Sequence, residues 1–175
     1  LDGLRVINVG TSYTTDYAAI RLIKCRDFVI RNTILEKLFF GIYLEKASHG
    51  KILNNRIRGD AVDEFGSGNG IHLWYAKNIE IRGNDIQHVR DGIYFEFADN
   101  CIIKDNYSHN NIRYGLHFMF SNHDVYEGNT FEKNGAGVAV MFSKFINMYS
   151  NTFKKNWGTA SYGLLLKEIN DAEII

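Results

Sequence analysis

The chain has 175 residues, a length that suits one domain with a core of ordinary size. Lysine plus arginine equals aspartate plus glutamate at 20 each, which argues against a nucleic-acid-binding protein or one that binds an anionic membrane surface. No stretch approaches the ~20 uninterrupted apolar residues of a membrane span. Cys25 and Cys101 lie far apart and indicate neither a disulfide framework nor a zinc site.

The composition favours short β-strands over helices. The chain has no proline, 16 glycines and 14% aromatic residues, a mixture typical of strands joined by tight turns. No window of 11–18 residues shows a sustained 3.6-residue period, so an all-β fold is predicted.

A Gly-aliphatic-x-apolar repeat runs through the chain, with steps of 29, 22, 23, 22 and 26 residues between its glycines. Its six copies in chain order are GIYL at 41–44, GIHL at 70–73, GIYF at 92–95, GLHF at 115–118, GVAV at 137–140 and GLLL at 163–166. A second marker keeps the same period and consists of Asn32, Asn55, Asn84, Asn106, Asn129 and Asn151. Asparagines at one turn position of stacked coils are expected to form a hydrogen-bonded ladder.

A unit of about 22 residues cannot bury its apolar face alone, so the units must stack. Parallel stacking, with the handedness of parallel crossovers, predicts a right-handed parallel β-helix of about seven coils of 22 to 23 residues. We expect residues 1–175 to form a single domain. The ends lack cap-like segments, so we also expect it to belong to a longer chain. A leucine-rich-type solenoid fits less well, because no coil contains a helical segment.

Two coils are longer than the others. The extra residues of the first lie in GDAVDEFGSGNG (59–70), and those of the second lie around NWGTASY (156–162). Both segments precede a glycine-marked strand and are predicted to be loops that flank its outer face.

Strand alternation assigns the faces of each coil. Counted from the repeat glycine, positions +1 and +3 are apolar in all six coils and are predicted to point inward. Position +5 shares that parity, which predicts an aromatic stack inside the β-helix formed by Tyr75, Phe97, Phe120 and Phe142. Positions +2 and +4 are predicted to face outward, and their large amphipathic residues are typical of a contact surface. They are Tyr43, His72, Tyr94, His117, Ala139 and Leu165 at +2, and Glu45, Trp74, Glu96, Met119, Met141 and Lys167 at +4.

Met119 and Met141 are predicted to be neighbours on adjacent coils, with His117 beside Met119 on the same face. Two thioethers and an imidazole form a soft ligand set that suits Cu(I) far better than Mg, Ca or Zn. The alternative is that the methionines are only an adaptable contact surface. Both interpretations stay open.

The predicted partner-binding surface extends beyond the methionines. Arg90 and Arg113 occupy equivalent positions two residues before a glycine and could bind a carboxylate, and His123 could approach the methionines from the strand's end. The complete predicted surface is Tyr43, His72, Trp74, Tyr94, Glu96, Arg90, Arg113 and His123.

Glu45 and Glu96 offer a rival function. They share position +4 two coils apart, hence ~10 Å, near the upper limit for the acid and base of an inverting glycosidase. A carbohydrate-binding or polysaccharide-processing β-helix, glycosidase or lyase, is therefore the alternative. Trp74 lies between them and would obstruct the reacting centre, and no Ser/His/Asp grouping or HExxH motif is recognisable.

Several strings closely resemble one family over residues 41–171, in order and spacing. They are SGNGIHLW (67–74), RDGIYF (90–95), RYGLHFMFSN (113–122), GAGVAVMFSK (135–144) and YGLLLKEIND (162–171). The chain resembles the NosD family, periplasmic accessory proteins for the maturation of nitrous oxide reductase.

The resemblance implies a periplasmic β-helix without catalytic activity. The soft ligand set predicts Cu(I) as a transient cofactor. The resemblance implies a role in copper supply and three partners: an ABC transporter of permease and ATPase, a copper chaperone and nitrous oxide reductase. It supplies no ligand list, so His117, Met119 and Met141 rest on the residue pattern alone. Family members have an exported N-terminus and further coils, which agrees with the missing caps.

Overall fold

A computed structural model describes residues 1–12, 14–158 and 162–175. These residues form 19 strands and no helix, so none of their segments is a helix able to cross a membrane. In chain order the strands are β1 (Arg5–Ile7), β2 (Ala18–Ile23), β3 (Arg26–Arg31), β4 (Ile34–Glu36), β5 (Phe40–Glu45), β6 (Ser48–Leu53), β7 (Arg56–Arg58), β8 (Ile71–Trp74), β9 (Lys77–Arg82), β10 (Asp85–Gln87), β11 (Ile93–Glu96), β12 (Ile102–Lys104), β13 (Tyr107–His109), β14 (Tyr114–Met119), β15 (Val125–Glu127), β16 (Thr130–Glu132), β17 (Ala136–Tyr149), β18 (Thr152–Lys154) and β19 (Leu164–Ile174).

The strands stack in parallel on three faces. The glycine face carries β2, β5, β8, β11, β14 and the first parts of β17 and β19. The second face carries β3, β6, β9, β12, β15 and the remaining parts of β17 and β19. The third face is a seven-stranded sheet in the order β1-β4-β7-β10-β13-β16-β18. Since every pairing is parallel and joins successive coils, the fold is the predicted parallel β-solenoid of about seven turns.

The repeat glycines stand where coils approach one another closely. A Cβ added at Gly70 would lie 2.6 Å from the carbonyl oxygen of Gly92, and one at Gly92 would lie 2.6 Å from that of Gly115. Glycine is required there because any side chain would push the backbones of successive coils apart.

The residues at +1 and +3 of the first five copies fill the core, as predicted, whereas Leu166 in the last copy is 44% exposed. Ile71, Leu73, Ile93 and Phe95 are each 0% exposed, and each pairs with its counterpart on the next coil. Burial of these columns drives the stacking of units that are too small to fold alone.

The asparagine ladder is confirmed from Asn55 to Asn151. In each step the side-chain Nδ2 donates to Oδ1 of the next coil's asparagine at 2.9 Å, and Oδ1 also accepts a backbone N–H. The prediction that Asn32 belongs to this column is wrong. Thr33 takes the ladder position and donates to Asn55 Oδ1, whereas Asn32 donates to Asp2. A second ladder, not anticipated from the sequence, joins Asn111, Asn134 and Asn156 at the corner before the glycine face.

The aromatic residues at +5 correct a prediction. Tyr75 and Phe120 are 47% and 42% exposed, so the predicted stack inside the β-helix is wrong. Each +5 residue has a positive φ of 50 to 54°. This left-handed step interrupts strand alternation and leaves the +5 side chain outside, while small residues such as Ala76 and Ala98 at +6 turn inward. The rings still stack on one another, with centroids 4.6 to 5.2 Å apart.

The first long segment forms the predicted loop between β7 and β8. Its Val62 and Phe65 are 90% and 89% exposed, whereas Asn69 at its end is buried against the glycine face. The second predicted loop lies partly outside the described residues, which omit 159–161; before that gap, Trp157 is 80% exposed.

Candidate functional site

Met119 and Met141 lie side by side on the outer side of the glycine face. They are register partners on β14 and β17, as the repeat predicted. Both side chains are half-buried, and the next coil places Lys167 beside Met141. On the other side the column continues through Glu96 and Trp74. The two thioethers are therefore accessible to a ligand or partner.

The +2 column lies outside the core but beneath other side chains. Tyr43, Tyr94 and His117 are only 7%, 8% and 6% exposed, so the prediction that these residues form an open stripe is wrong. The rings pack along the column, with centroid separations of 4.4 Å for Tyr43 and His72, 4.8 Å for His72 and Tyr94, and 5.1 Å for Tyr94 and His117.

Residues at the start of each coil cover this column. Phe40 packs edge-on against Tyr43 and His72, and Tyr114 lies with its ring centroid 4.7 Å from that of His117. The repeat alone does not predict this cover, because it comes from Phe40 and Tyr114, which directly precede the repeat glycines in β5 and β14.

His117 differs from His72 in its hydrogen bonding. Asn69 Nδ2 donates to His72 Nδ1 at 3.0 Å, and burial lowers the pKa of His72 to about 3, so that ring is neutral. His117 is buried, yet neither Nδ1 nor Nε2 has a hydrogen-bond partner. An unsatisfied buried polar group costs ~1–3 kcal/mol, so an imidazole kept in this state calls for an explanation.

Asp91, directly before the repeat glycine Gly92, lies against His117. Its carboxylate is 0% exposed, and its Oδ2 is 3.6 Å from His117 Nδ1. Burial opposes ionisation, but the hydrogen bonds from Arg113 outweigh it and hold the pKa of Asp91 below its usual range. A usable signal existed in the repeat, since Asp91 is the only acidic residue directly before a repeat glycine.

The two arginines do not form the predicted basic rung. Arg113 donates from Nε and Nη2 to the two oxygens of Asp91 at 2.9 and 2.5 Å, so its carboxylate partner lies within the same chain. Arg90 donates from Nε to Asn69 Oδ1 at 3.2 Å. Arg90 therefore remains the more available of the two for an outside carboxylate.

His123 lies away from the methionine pair. It occupies the corner at +8, where its ring stacks on Phe145 with a centroid separation of 4.6 Å. Together with Phe120 and Phe142 it lines an open groove. The structure thus does not bring His123 to Met119, although it leaves the side chain exposed for a partner.

Glu45 and Glu96, the carboxylates of the alternative glycosidase or lyase function, are the register partners of Trp74 on its two neighbouring coils, as predicted. Glu45 is ion-paired with Arg21 at 3.1 Å, and Glu96 accepts a hydrogen bond from Tyr94 at 3.4 Å. Trp74 occupies the space between them, so the column offers no open centre at which both carboxylates meet.

The donor set fits Cu(I) and not a hard cation. Within the described ranges, no three His, Cys, Asp or Glu residues are grouped to hold a metal ion. The available donors are two half-buried thioethers and an imidazole whose nitrogens make no hydrogen bond. Soft, uncharged donors of this kind select Cu(I).

Comparison with known proteins gives the family. The model of a family described as periplasmic copper-binding protein (NosD) matches residues 53–175. The chain belongs to the NosD family. This confirms the resemblance seen in the sequence, and the family's description agrees with the predicted periplasmic location.

A curated NosD relative is the probable ABC transporter binding protein NosD of Pseudomonas aeruginosa, 39% identical over 94 residues. The match covers 53% of this chain and 22% of the relative, so the chain spans about a fifth of that protein's length.

Solved structures share the solenoid fold with this NosD chain at low identity. The A-module of the mannuronan C-5 epimerase AlgE6 of Azotobacter vinelandii has a TM-score of 0.59 and 14% identity, over 81% of this chain and 45% of that one. DFA-IIIase of Arthrobacter chlorophenolicus gives 0.60 and 14%, over 97% and 53%. The periplasmic alginate epimerase AlgG gives 0.52 and 18%, over 83% and 47%. At these identities the similarity concerns the fold alone.

Proposed function

We propose that this chain is a non-enzymatic part of a periplasmic assembly factor that carries Cu(I) during maturation of nitrous oxide reductase. Copper is its cargo, received from a copper chaperone and passed on beside an ABC transporter. Membership of a family described as copper-binding, and a relative named as an ABC transporter binding protein, support the copper and transporter roles.

The pairing of Met119 with Met141 beside a buried, unbonded His117 carries the proposal. Thioether and imidazole ligands bind Cu(I) without a thiolate cage, so the ion can exchange with a docked protein. The half-buried methionines would receive the ion first, and His117 would complete its coordination from the inner side. The burial of His117 would keep water from competing for that position.

A docked partner would meet the residues around the methionines. Trp74, Glu96 and the stacked +5 rings lie in adjacent columns at the surface. Arg90 precedes β11, and His123 lies in the corner between β14 and β15. Aromatic and arginine side chains are enriched in protein interfaces. Tyr43 and Tyr94 would support this surface from below, because both are buried.

Anaerobic competition with a chromophoric Cu(I) chelator tests the site. The variants His117→Ala, Met119→Leu and Met141→Leu are each expected to weaken Cu(I) binding at least tenfold. Met148→Leu is the matched control, since Met148 is buried in the core of the same strand as Met141.

The triple variant His117→Ala/Met119→Ala/Met141→Ala separates the two readings of the methionines. Unaltered Cu(I) affinity together with lost binding to the chaperone would make these residues an interface and refute the copper site. Hydrolase or lyase activity on uronic-acid polymers, lost in Glu96→Gln, would refute the non-enzymatic role.

A further inference from the structure

Asp91 and His117 face each other across adjacent coils. Asp91 lies directly before Gly92, and His117 lies two residues after Gly115. The side chains are 0% and 8% exposed, and Asp91 Oδ2 is 3.6 Å from His117 Nδ1. This is longer than a hydrogen bond, but it places a full negative charge beside one of the two ring nitrogens in a region that water does not reach.

The carboxylate is fixed in this position. Arg113 donates to both of its oxygens, and the backbone N–H of Tyr114 donates to Oδ1 at 3.3 Å. The ring of Tyr114 also contacts His117. Asp91 therefore cannot turn away from the imidazole without breaking three hydrogen bonds.

A fixed carboxylate decides where a neutral imidazole carries its proton. The positive end of an N–H dipole is favoured next to the charge, so the proton belongs on Nδ1 and the lone pair on Nε2. No hydrogen-bond donor occupies Nε2. That lone pair is consequently free to bind a soft metal ion together with the thioethers.

We propose that Asp91 is a positioning residue that holds His117 in its Nδ1–H tautomer and thereby assigns Nε2 as the copper-binding atom. The proposal rests on the proposed Cu(I) site and specifies which atom serves it. Asp91 itself does not bind the ion, because Arg113 occupies both of its oxygens.

Nitrogen-15 NMR of the metal-free protein, labelled at histidine and recorded above neutral pH, tests the assignment without copper. Wild-type His117 is expected to show a protonated Nδ1 and an unprotonated Nε2. In Asp91→Asn, the Nε2–H form is expected to become substantially populated. His72 serves as the internal reference, since Asn69 donates to its Nδ1 and it should remain an Nε2–H tautomer in both proteins.

Cu(I) competition on the same proteins gives the second measurement. Asp91→Asn is expected to weaken Cu(I) binding ~10–100-fold, the usual effect of losing a carboxylate that orients a metal-binding histidine. Arg113→Gln removes the hydrogen bonds that hold the Asp91 carboxylate in place and favour its ionised form, so it is also expected to weaken Cu(I) binding.

An Nε2–H tautomer in wild-type His117 would overturn the proposal, and this result does not depend on any variant folding. An unchanged tautomer in Asp91→Asn would overturn it as well. If His117→Ala left Cu(I) affinity unchanged, the copper site itself would fail, whereas the tautomer measurement would still report what Asp91 does to the ring.

Discussion

The asparagine ladder and the outer side of the glycine face both bury polar side chains, but they differ in how fully those side chains are hydrogen-bonded. Asn106 uses its whole amide, donating to Ile81 and Asn129 and accepting from Asn84. His117 is as inaccessible as the ladder but makes no hydrogen bond. The ladder is a structural device that repeats with the coil, whereas the histidine interrupts the repeat. A buried ring with neither nitrogen hydrogen-bonded calls for an explanation in so regular a fold, and the proposed Cu(I) site would supply one.

The largest expected effect comes from breaking the ladder. Asn106→Ala removes two donors and an acceptor that serve buried groups, and should lower the free energy of unfolding by about 3 kcal/mol. Asn170→Ala, at an exposed position of β19 outside the ladder, should change it by less than about 0.5 kcal/mol. Urea titrations followed by circular dichroism measure both. Equal effects would show that the ladder has no special role.

Acid should weaken the buried aromatic column. Burial lowers the pKa of His72 to about 3 from 6.5. Below pH ~6.5 His72 binds a proton in the unfolded state but not in the folded state. The free energy of unfolding is therefore highest above that pH and falls as the pH drops towards 3. Because His72 retains some solvent access, we expect a loss of ~1–2 kcal/mol.

The matched variant His72→Phe isolates this histidine from the other five. Phenylalanine fits between Tyr43 and Tyr94 and cannot be protonated. The urea midpoint of the variant should therefore depend less on pH than that of the wild type, and identical pH profiles would contradict the assignment.

The exposed +5 column tests whether stacking alone stabilises the surface. Phe120 stacks on both Phe97 and Phe142. Phe120→Ala should cost ~1–2 kcal/mol through two lost aromatic contacts. Phe120→Tyr should leave the free energy of unfolding nearly unchanged, because a tyrosine, Tyr75, already stacks at the end of the same column. Thermal unfolding distinguishes them, and a tyrosine variant as unstable as the alanine one would argue against stacking.

The smallest expected effect has the opposite sign. His117→Phe replaces a buried ring without hydrogen bonds by an apolar ring of similar shape, and should raise the free energy of unfolding by about 1 kcal/mol. The same variant should lose Cu(I) binding. A destabilised variant would instead place His117 with the structural groups of the ladder.

Much of the fold followed from the sequence because its determinants recur. Positions such as Ile71 and Leu73 showed the inward side, and the glycine at the start of each copy marked the close approach of coils. The pairing of Met119 with Met141 followed from the same register. These features depend only on the period and on strand alternation.

The site could not be predicted in full, because strand alternation does not reveal two of its determinants. The positive φ at Phe120 reverses the side on which its ring lies, and alternation alone gives no sign of it. Asp91 lies beside His117 from the preceding coil, although it is 26 residues earlier in the chain.

The sequence by itself determined the parallel solenoid, its period and the adjacency of the two methionines, since stacking of small repeats leaves one way to bury their apolar faces. Only the tertiary structure decided that His117 is buried, that its nitrogens make no hydrogen bond and that Asp91 lies beside one of them. Burial and electrostatics at a point depend on what neighbouring coils place above it, and the period does not contain that information.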